Sequence, residues 1–374
     1  MIRKKNILIC PLEWGLGHAA RMIPLASKLL ECGNNVFIGS GEKHLALFRA
    51  ELEGLKYIDF TGFSPKYSRI FPQYFIMLLK TPMLLYHIIR EHRKLQRIIS
   101  DYSIDIVISD NRFGLWSNRI TSVYVTHMPL IPLPRPWKLF ERIGVLLHSY
   151  IIKKYTYCCI PDIEGELNLS GNLSHGMQLA PNARYIGILS RFCMDYGTGK
   201  NQFGFQHNTV ILSGPEPQRS ILKKKISDIY REKLPLTIIL EGKPGDKEEN
   251  KQEGNLICCS HLPAAEMKQL LKTSELIISR SGYTTIMDLA CIGSGALLIP
   301  TPGQTEQEYL ADYLSDKGWF TMIRQNEIDN ILPMRKLNEI PSISIKEESN
   351  KLLDKFLREL LQEEHEEGKK NESR

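Results

Sequence analysis

The stretch Leu276-Ile277-Ile278-Ser279-Arg280-Ser281-Gly282-Tyr283-Thr284-Thr285-Ile286-Met287-Asp288 decides the fold. Its uninterrupted apolar start predicts a strand buried on both faces, as in a parallel sheet. Ser281-Gly282 permits a tight turn, and the two threonines open a helix. Hydroxyls and unpaired N–H groups at that helix start offer a cradle for a diphosphate. Asp288 lies three to four residues past the threonines, on the same helix face, where a carboxylate can accept hydrogen bonds from a ribose diol. An ordinary capped helix with a solvated Asp is the plainer alternative.

Outward from this stretch the same strand–loop–helix unit repeats. In the second half, strands are expected at Thr209–Gly214, Leu236–Gly242, Asn255–Ser260, Leu276–Ser279 and Ala296–Thr301, with helices between them near Glu216–Arg231, Pro263–Thr273, Tyr283–Cys291 and Glu306–Lys317. In the first half, strands fall at Asn6–Leu12, Val36–Gly41, Leu55–Phe60, Asp105–Asp110, Ser122–Met128, Tyr157–Asp162 and Tyr185–Leu189. The helices there are Ala19–Cys32, Lys43–Glu51, Phe71–Ser100 (interrupted at Pro82) and Trp137–Tyr155. This alternation predicts two consecutive α/β domains, each with a parallel sheet. The expected boundaries are 1–190 for the first, 191–208 for a glycine-bearing linker, 209–340 for the second, and 341–374 for a C-terminal helix with an acidic tail.

A length of 374 residues suits two domains of ordinary size, and 43% hydrophobic with 24% charged residues excludes a disordered chain. Residues 1–165 carry 22 Lys and Arg against 13 Asp and Glu, a local charge of +9 within a net +6, so the remainder is at −3. A basic front half fits phosphate-bearing ligands or an anionic membrane surface. Nucleic acid is disfavoured by the lack of a dense basic run or RNA-binding motif. The eight cysteines show no metal-ligand spacing, and we expect buried thiols in a reducing compartment, with neither metal nor disulfide. Arg3-Lys4-Lys5 precedes only a short apolar run, which predicts a first strand rather than a signal peptide. No run reaches the roughly 18 apolar residues of a membrane span. A cytoplasmic location, at the inner face of the membrane, is the expectation.

The first strand leads into Glu13-Trp14-Gly15-Leu16-Gly17-His18-Ala19-Ala20-Arg21. Gly15 and Gly17 suit a tight strand-to-helix turn approached closely by a ligand. A dinucleotide fingerprint is excluded, because Ala20 replaces the third glycine and the second strand ends in Ser40-Gly41 rather than an acid. His18, at a helix start on the carboxyl edge of a sheet, can act as general base toward a hydroxyl; packing the turn is its structural alternative. Arg21, one turn on, can pair with phosphate or with Glu13. Asp110-Asn111-Arg112 and His127 close strands at the same edge. Asp110 or His127 can orient His18, bind an acceptor, or be the base itself. In the second half, Ser213-Gly214, with Arg219 as countercharge, and Gln304, Glu306 and Gln307 supply polar groups beside the Ser281-Gly282 turn.

Two stretches, Ser64–Ile99 and Leu133–Lys154, mix apolar residues with Lys and Arg. Apolar bodies bordered by cations can lie on an anionic bilayer; core-facing helices with solvated basic backs are the alternative.

Together these motifs resemble the GT-B glycosyltransferases, and within them glycosyltransferase family 28. The resemblance rests on Gly15-x-Gly17-His18 at one end and on Ser279-Arg280-Ser281-Gly282 through Asp288, then Pro300 to Tyr309, at the other. Gly17-His18-Ala19-Ala20-Arg21, Ser109-Asp110-Asn111-Arg112, Thr126-His127, Ser213-Gly214-Pro215-Glu216-Pro217-Gln218 and Gly187-x-Leu189-Ser190-Arg191 resemble a bacterial group of predicted transferases. The resemblance implies two Rossmann-like domains facing across a cleft, and inverting transfer of a hexose or N-acetylhexosamine from a UDP-sugar. That nucleotide sugar is a co-substrate; no cofactor is expected. It further implies that Asp288 binds ribose, where relatives usually carry Glu, that the helix at Tyr283–Thr285, with Thr284, meets the diphosphate, and that Arg280, Ser281 and Gly282 belong to the donor-binding residues. His261, Leu262 and Met267 would flank the base, and Gln307 would touch the donor sugar. Gly15, Gly17, Arg21 and Arg112 would line the acceptor side, facing a lipid-linked or cell-envelope glycan. Glu308 stands where a second Gln is usual, which puts N-acetylglucosamine in doubt as the sugar. The sequence contains no Asp-x-Asp, so leaving-group charge is expected to fall to a helix terminus rather than a metal.

A nucleotide-sugar hydrolase shares the same loop and is the main rival; the acceptor-sized basic, apolar region favours a transferase. A sugar-nucleotide epimerase lacks its acid/base cluster here. A non-catalytic sugar-nucleotide binder is the rival from outside the enzymes.

Overall fold

A computed structural model describes residues 4–63, 80–130, 132, 141–194, 205–214, 216–233, 235–243, 251–328 and 339–362. The first domain runs β1 (Asn6–Cys10), α1 (Leu16–Glu31), β2 (Asn35–Ser40), α2 (Glu42–Glu51), β3 (Lys56–Asp59), α3 (Thr81–Asp101), β4 (Ile106–Asp110), β5 (Thr121–Val125), α4 (Glu141–Ile152), β6 (Tyr157–Ile160) and β7 (Ala183–Tyr185). Its seven strands lie in the order β3-β2-β1-β4-β5-β6-β7, and all pairs are parallel. Ile7, Ile9, Ile106 and Ile108 face a core shared with α1, while Leu8 and Val107 face α3. Burial on both faces is why these strands show continuous rather than alternating hydrophobicity.

The second domain runs β8 (His207–Ile211), α5 (Gln218–Tyr230), β9 (Leu236–Leu240), β10 (Lys251–Glu253), β11 (Leu256–Cys259), α6 (Ala264–Lys272), β12 (Leu276–Ser279), α7 (Tyr283–Ile292), β13 (Leu297–Leu298), α8 (Thr305–Asp316) and β14 (Thr321–Met322). The strand order is β10-β11-β9-β8-β12-β13-β14, parallel except for β10 against β11. β10 and β14 are not foreseen in the sequence: one is three exposed polar residues, the other only two residues long.

In each sheet the order reverses once, between β1 and β4 and between β8 and β12. Such switch points open a crevice at the carboxyl edge of a parallel sheet. The loops at Gly15, Asp110, Gly214 and Gly282 all leave from these strands.

The C-terminal α9 (Ser342–Gln362) joins the two domains. Ile345 packs into the second core, whereas Leu353, Phe356, Leu357 and Leu360 pack into the first. Gly187, at φ +75°, lets the chain run against α9, where Ile188 N donates to Ser349 Oγ at 3.1 Å. Ile163, Leu169, Leu173 and Ile188, which precede the linker, and Phe192 within it belong to the second core.

Cys193 and Cys291 are joined by a disulfide, with Cα atoms 6.0 Å apart. This corrects the expectation of eight thiols. The partners are separated by 98 residues, and only the packing of 191–193 on α7 brings them together. The other six are free.

Candidate active site at the domain cleft

α1 and α7 both begin at a glycine, Gly15 and Gly282, and neither start is capped by a side chain. The two starts meet. Thr284 Oγ1 donates to Gly17 O at 3.1 Å, and a Cβ on Gly17 would stand 3.1 Å from that hydroxyl. A side chain at Gly17 would crowd this contact between the domains.

Behind the Gly17 loop lies a buried charged cluster. Arg21 grips Asp110 with a fork: its Nε donates to Oδ2 at 3.0 Å and its NH2 to Oδ1. Bidentate geometry of this kind is the strongest form of the pair. Arg21 is 2% exposed and Asp110 fully buried. His18 Nδ1 lies 2.9 Å from both Asp110 Oδ2 and Arg21 NH2. Burial alone would raise the Asp110 pKa, but Arg21 and His18 outweigh it and hold the carboxyl at about 2. Burial pushes His18 below its ordinary value, with Asp110 opposing and Arg21 adding to the shift, so the ring is neutral near pH 7. Its Nε2 makes no hydrogen bond among the described residues.

His127, at the end of β5, carries the cluster across the cleft. Its Nδ1 lies 3.1 Å from Arg21 NH1, and its Nε2 2.7 Å from Glu306 Oε1 of the second domain. A guanidinium only donates, so Nδ1 accepts and Nε2 holds the proton given to Glu306. Both nitrogens of His127 are therefore spent, which leaves His18 as the ring free to take a proton. Burial would raise the Glu306 pKa; His127 outweighs it and brings it down. Tyr283 stacks on His127, centroids 4.2 Å apart, and donates to Pro161 O. Thr305 Oγ1 donates to Pro132 O, closing the far side.

Not every sequence candidate reaches the cleft. Arg112 is buried within the first domain, with its NH groups on Gly39 O, Phe60 O and Glu91. Arg280 is fully buried, bonded to Ile299 O, Pro300 O, Gln218 O and Gln325 Oε1. Both correct the expectation of ligand-binding arginines: each satisfies carbonyls at the carboxyl edge of its own domain. Arg219 is turned to Glu216 and to Glu241 O. Ser281 Oγ donates to Gln307 O, and Gln307 Oε1 accepts from Thr301 N, so these two brace the loop between β13 and α8. Ser213, Gly214, Gln304, Thr285 and Glu306 are at least partly exposed around it. A Cβ on Gly214 or Gly282 would meet open space. Pro215 lies outside the described residues.

The ribose and base candidates lie along one side of α7. Asp288 is buried, accepts from Ser190 Oγ at 2.6 Å, and has a pKa raised to about 6 by burial, against the pull of Arg191 and Ser190. Leu262 and Met267 are buried nearby, and Arg191 NH2 contacts Met267 Sδ. Burial and then Arg191 lower the His261 pKa to about 4. Among the described residues, no group of three His, Cys, Asp or Glu could hold a metal, and no helix is long and apolar enough to cross a membrane.

Comparison with known proteins agrees with this geometry. Residues 221–366 match the glycosyltransferase family 28 C-terminal domain. Solved structures share the whole architecture. The kitacinnamycin glycotransferase covers 96% of this chain and 95% of its own at 14% identity, TM-score 0.58. The calicheamicin glycosyltransferase CalG4 covers 95% and 94% at 12% identity, TM-score 0.57. The glycosyltransferase SnogD from Streptomyces nogalater covers 94% of each at 15% identity, TM-score 0.55. The chain has the GT-B fold, and its residues 221–366 are similar to the family 28 C-terminal domain. Curated relatives are UDP-N-acetylglucosamine–N-acetylmuramyl-(pentapeptide) pyrophosphoryl-undecaprenol N-acetylglucosamine transferases. That of Exiguobacterium sibiricum is 40% identical over 65 residues, 17% of this chain and 18% of the relative. That of Buchnera aphidicola is 32% identical over 138 residues, 35% and 39%. The matched segments thus span about a fifth to two fifths of those relatives.

The residues that sequence reasoning gave no role are Ser190, Arg191 and Glu51, all outside the matched residues 221–366. Arg191 bridges the domains, donating to Glu51 Oε1 at 3.3 Å with its Nε 3.7 Å from Asp288 Oδ2. The only signal was the place of Ser190 and Arg191 in Gly187-x-Leu189-Ser190-Arg191, a motif without an assigned partner; Glu51 had none.

Proposed function

We propose that this GT-B protein is an inverting glycosyltransferase moving a hexose or N-acetylhexosamine from a UDP-sugar to a hydroxyl of a lipid-linked or cell-envelope glycan. The observation that carries it is the neutral His18 ring, held by Asp110 and Arg21, at the point where the uncapped starts of α1 and α7 converge. In this reading His18 Nε2 takes the acceptor hydroxyl proton while the oxygen attacks the anomeric carbon. The bond from that carbon to the diphosphate oxygen breaks on the opposite side, and UDP leaves with the electron pair. The N–H groups opening α7, with Thr284 and Thr285, stabilise its charge without a metal. Ribose goes to Asp288 and the base to the His261–Met267 loop.

An acceptor on a membrane suits the outer side of the first domain. On α3, Met83, Leu85, Tyr86 and Ile89 are more than half exposed, followed by exposed Arg90, Arg93, Lys94 and Arg97. On α4, Leu146, Leu147 and Tyr150 are exposed, followed by Lys153. Trp116 stacks on His92 of α3 and lies under Lys154, just past α4, so one tryptophan adjoins both segments. Apolar side chains rimmed by cations fit an anionic bilayer surface at the cytoplasmic face. Residues 64–79 and 133–140 of the two stretches lie outside the described residues.

Calorimetry with UDP, in the presence of EDTA, tests the donor site. Binding should be seen, and lost in Asp288→Ala; failure of UDP, GDP and dTDP alike would overturn the reading. With a turned-over sugar nucleotide, His18→Ala should lower the rate about 10²–10⁴-fold. Retained rate would remove His18 as the base.

A further inference from the structure

The face of α7 that carries Asp288 is covered by this chain itself. Asp288 and Cys291 are three residues apart and share a helix face. Asp288 Oδ1 accepts from Ser190 Oγ at 2.6 Å, and Cys291 is bonded to Cys193. Both positions are thus engaged by the single turn 190–193. Ser190 is fully buried and Asp288 4% exposed, so no diol can reach the carboxylate in this arrangement.

The covering is electrostatically incomplete. One guanidinium, Arg191, serves two carboxylates: NH1 donates to Glu51 of α2, while Nε faces Asp288 Oδ2 at 3.7 Å and, among the described residues, makes no hydrogen bond despite its burial. His261 Nε2 is likewise buried without a hydrogen bond, 4.0 Å from Glu51 Oε1. Buried polar atoms left unpaired are costly, and a ligand that supplies both donors and acceptors relieves them. A vicinal diol has that chemistry: its hydroxyl hydrogens can go to Asp288, and its oxygens can accept from Arg191 Nε.

We propose that Ser190 and Arg191 are resident occupants of the ribose end of the donor site, and that a nucleotide's ribose diol binds by displacing them from Asp288. This rests on the donor reading above. Because Arg191 also holds Glu51 of the first domain, releasing Asp288 loosens the link between α2 and the second domain. Donor binding is thereby coupled to the domain junction.

The sign of one substitution decides it. If Ser190 competes with ribose, Ser190→Ala binds UDP more tightly, with a Kd lower by about tenfold, the worth of one buried hydrogen bond to a charge. If Ser190 instead orients Asp288 for the ligand, the same variant binds more weakly. Titrations of wild type, Ser190→Ala and Asp288→Ala with UDP, alongside melting curves, read this directly. Equal or weaker binding by a folded Ser190→Ala overturns the proposal. Ser190 Oγ also accepts from Phe192 N, so the variant loses a turn cap. Should it not fold, Ser190→Cys keeps a weak acceptor for Phe192 N while offering Asp288 only a weak donor. Its Kd should fall severalfold, and an unchanged or higher Kd overturns the proposal equally. A wild type that binds no nucleotide overturns the donor reading, and this inference with it. Wild-type binding without gain in the variants overturns this inference alone.

Discussion

Asp110→Asn should destabilise the first domain far more than an isosteric change ordinarily does. Arg21 is 2% exposed, and three of its nitrogens are committed: Nε and NH2 to Asp110, NH1 to His127. Asparagine keeps one acceptor oxygen but turns an amide N–H₂ toward a guanidinium and leaves a buried charge uncompensated. Breaking one side of a buried pair costs about 3–5 kcal/mol, which for a domain of this size lowers its melting temperature by about 6–20 °C. Acid gives an independent measure. The carboxyl titrates at about 2 in the folded chain against an ordinary value of 3.8. A depressed folded value contributes stability that is fully present above 3.8 and is lost as pH falls through 2. That depression corresponds to about 2 kcal/mol. That figure is smaller than the cost of the substitution because protonation removes only the charge, while asparagine also adds a misplaced donor. Scanning calorimetry of wild type and variant from pH 7 to pH 2.5 should show the gap between them narrowing on the acid side. A variant that melts within 2 °C of wild type at pH 7 would refute the reasoning, since Arg21 would then have another partner.

Two further outcomes follow from packing. Gly187→Ala places a Cβ 2.3 Å from Ser349 Cα at a backbone φ of +75°; α9 must lift, at a cost of more than about 3 kcal/mol, seen as early proteolytic release of the C-terminal helix. Leu146→Ser with Leu147→Ser should leave melting unchanged and cut flotation with anionic vesicles at least about tenfold, since each buried leucine supplies about 1.5–3 kcal/mol; equal flotation would remove α4 from the membrane face.

The elements were legible because parallel strands announce themselves as apolar runs and helices as periodic ones. Gly17, His18 and Asp110 could be singled out because they stand in or beside the loops that leave the carboxyl ends of β1 and β4, where chemistry collects in such sheets. Arg112 and Arg280 stand just after the ends of β4 and β12 too, and there the sequence misleads. Where the strands splay apart beside a switch point, carbonyls lose their ladder partners, and a guanidinium with its several donors can satisfy them. Nothing in the local sequence separates an arginine turned to the cleft from one turned to these carbonyls. The Cys193–Cys291 disulfide and the Glu51–Arg191–Asp288 chain were illegible for a different reason. Their partners lie 97 or more residues apart and meet only because the two domains pack around one turn.

The charge count of the cleft explains why the cluster extends across both domains. Within the first domain alone, Arg21 and Asp110 cancel, and a proton arriving on His18 would create a buried positive charge, opposed by the guanidinium 2.9 Å away. Glu306 changes that balance. With His18 and His127 neutral, the assembled cluster of Arg21, Asp110 and Glu306 carries one net negative charge, and a proton on His18 brings it to zero. Field effects in a low-dielectric cleft are large enough for this single charge to matter. Glu306 is electrostatically coupled to both His18 and His127. Under the proposed reaction, the base is therefore competent when the second domain, which holds the donor, has brought Glu306 to His127.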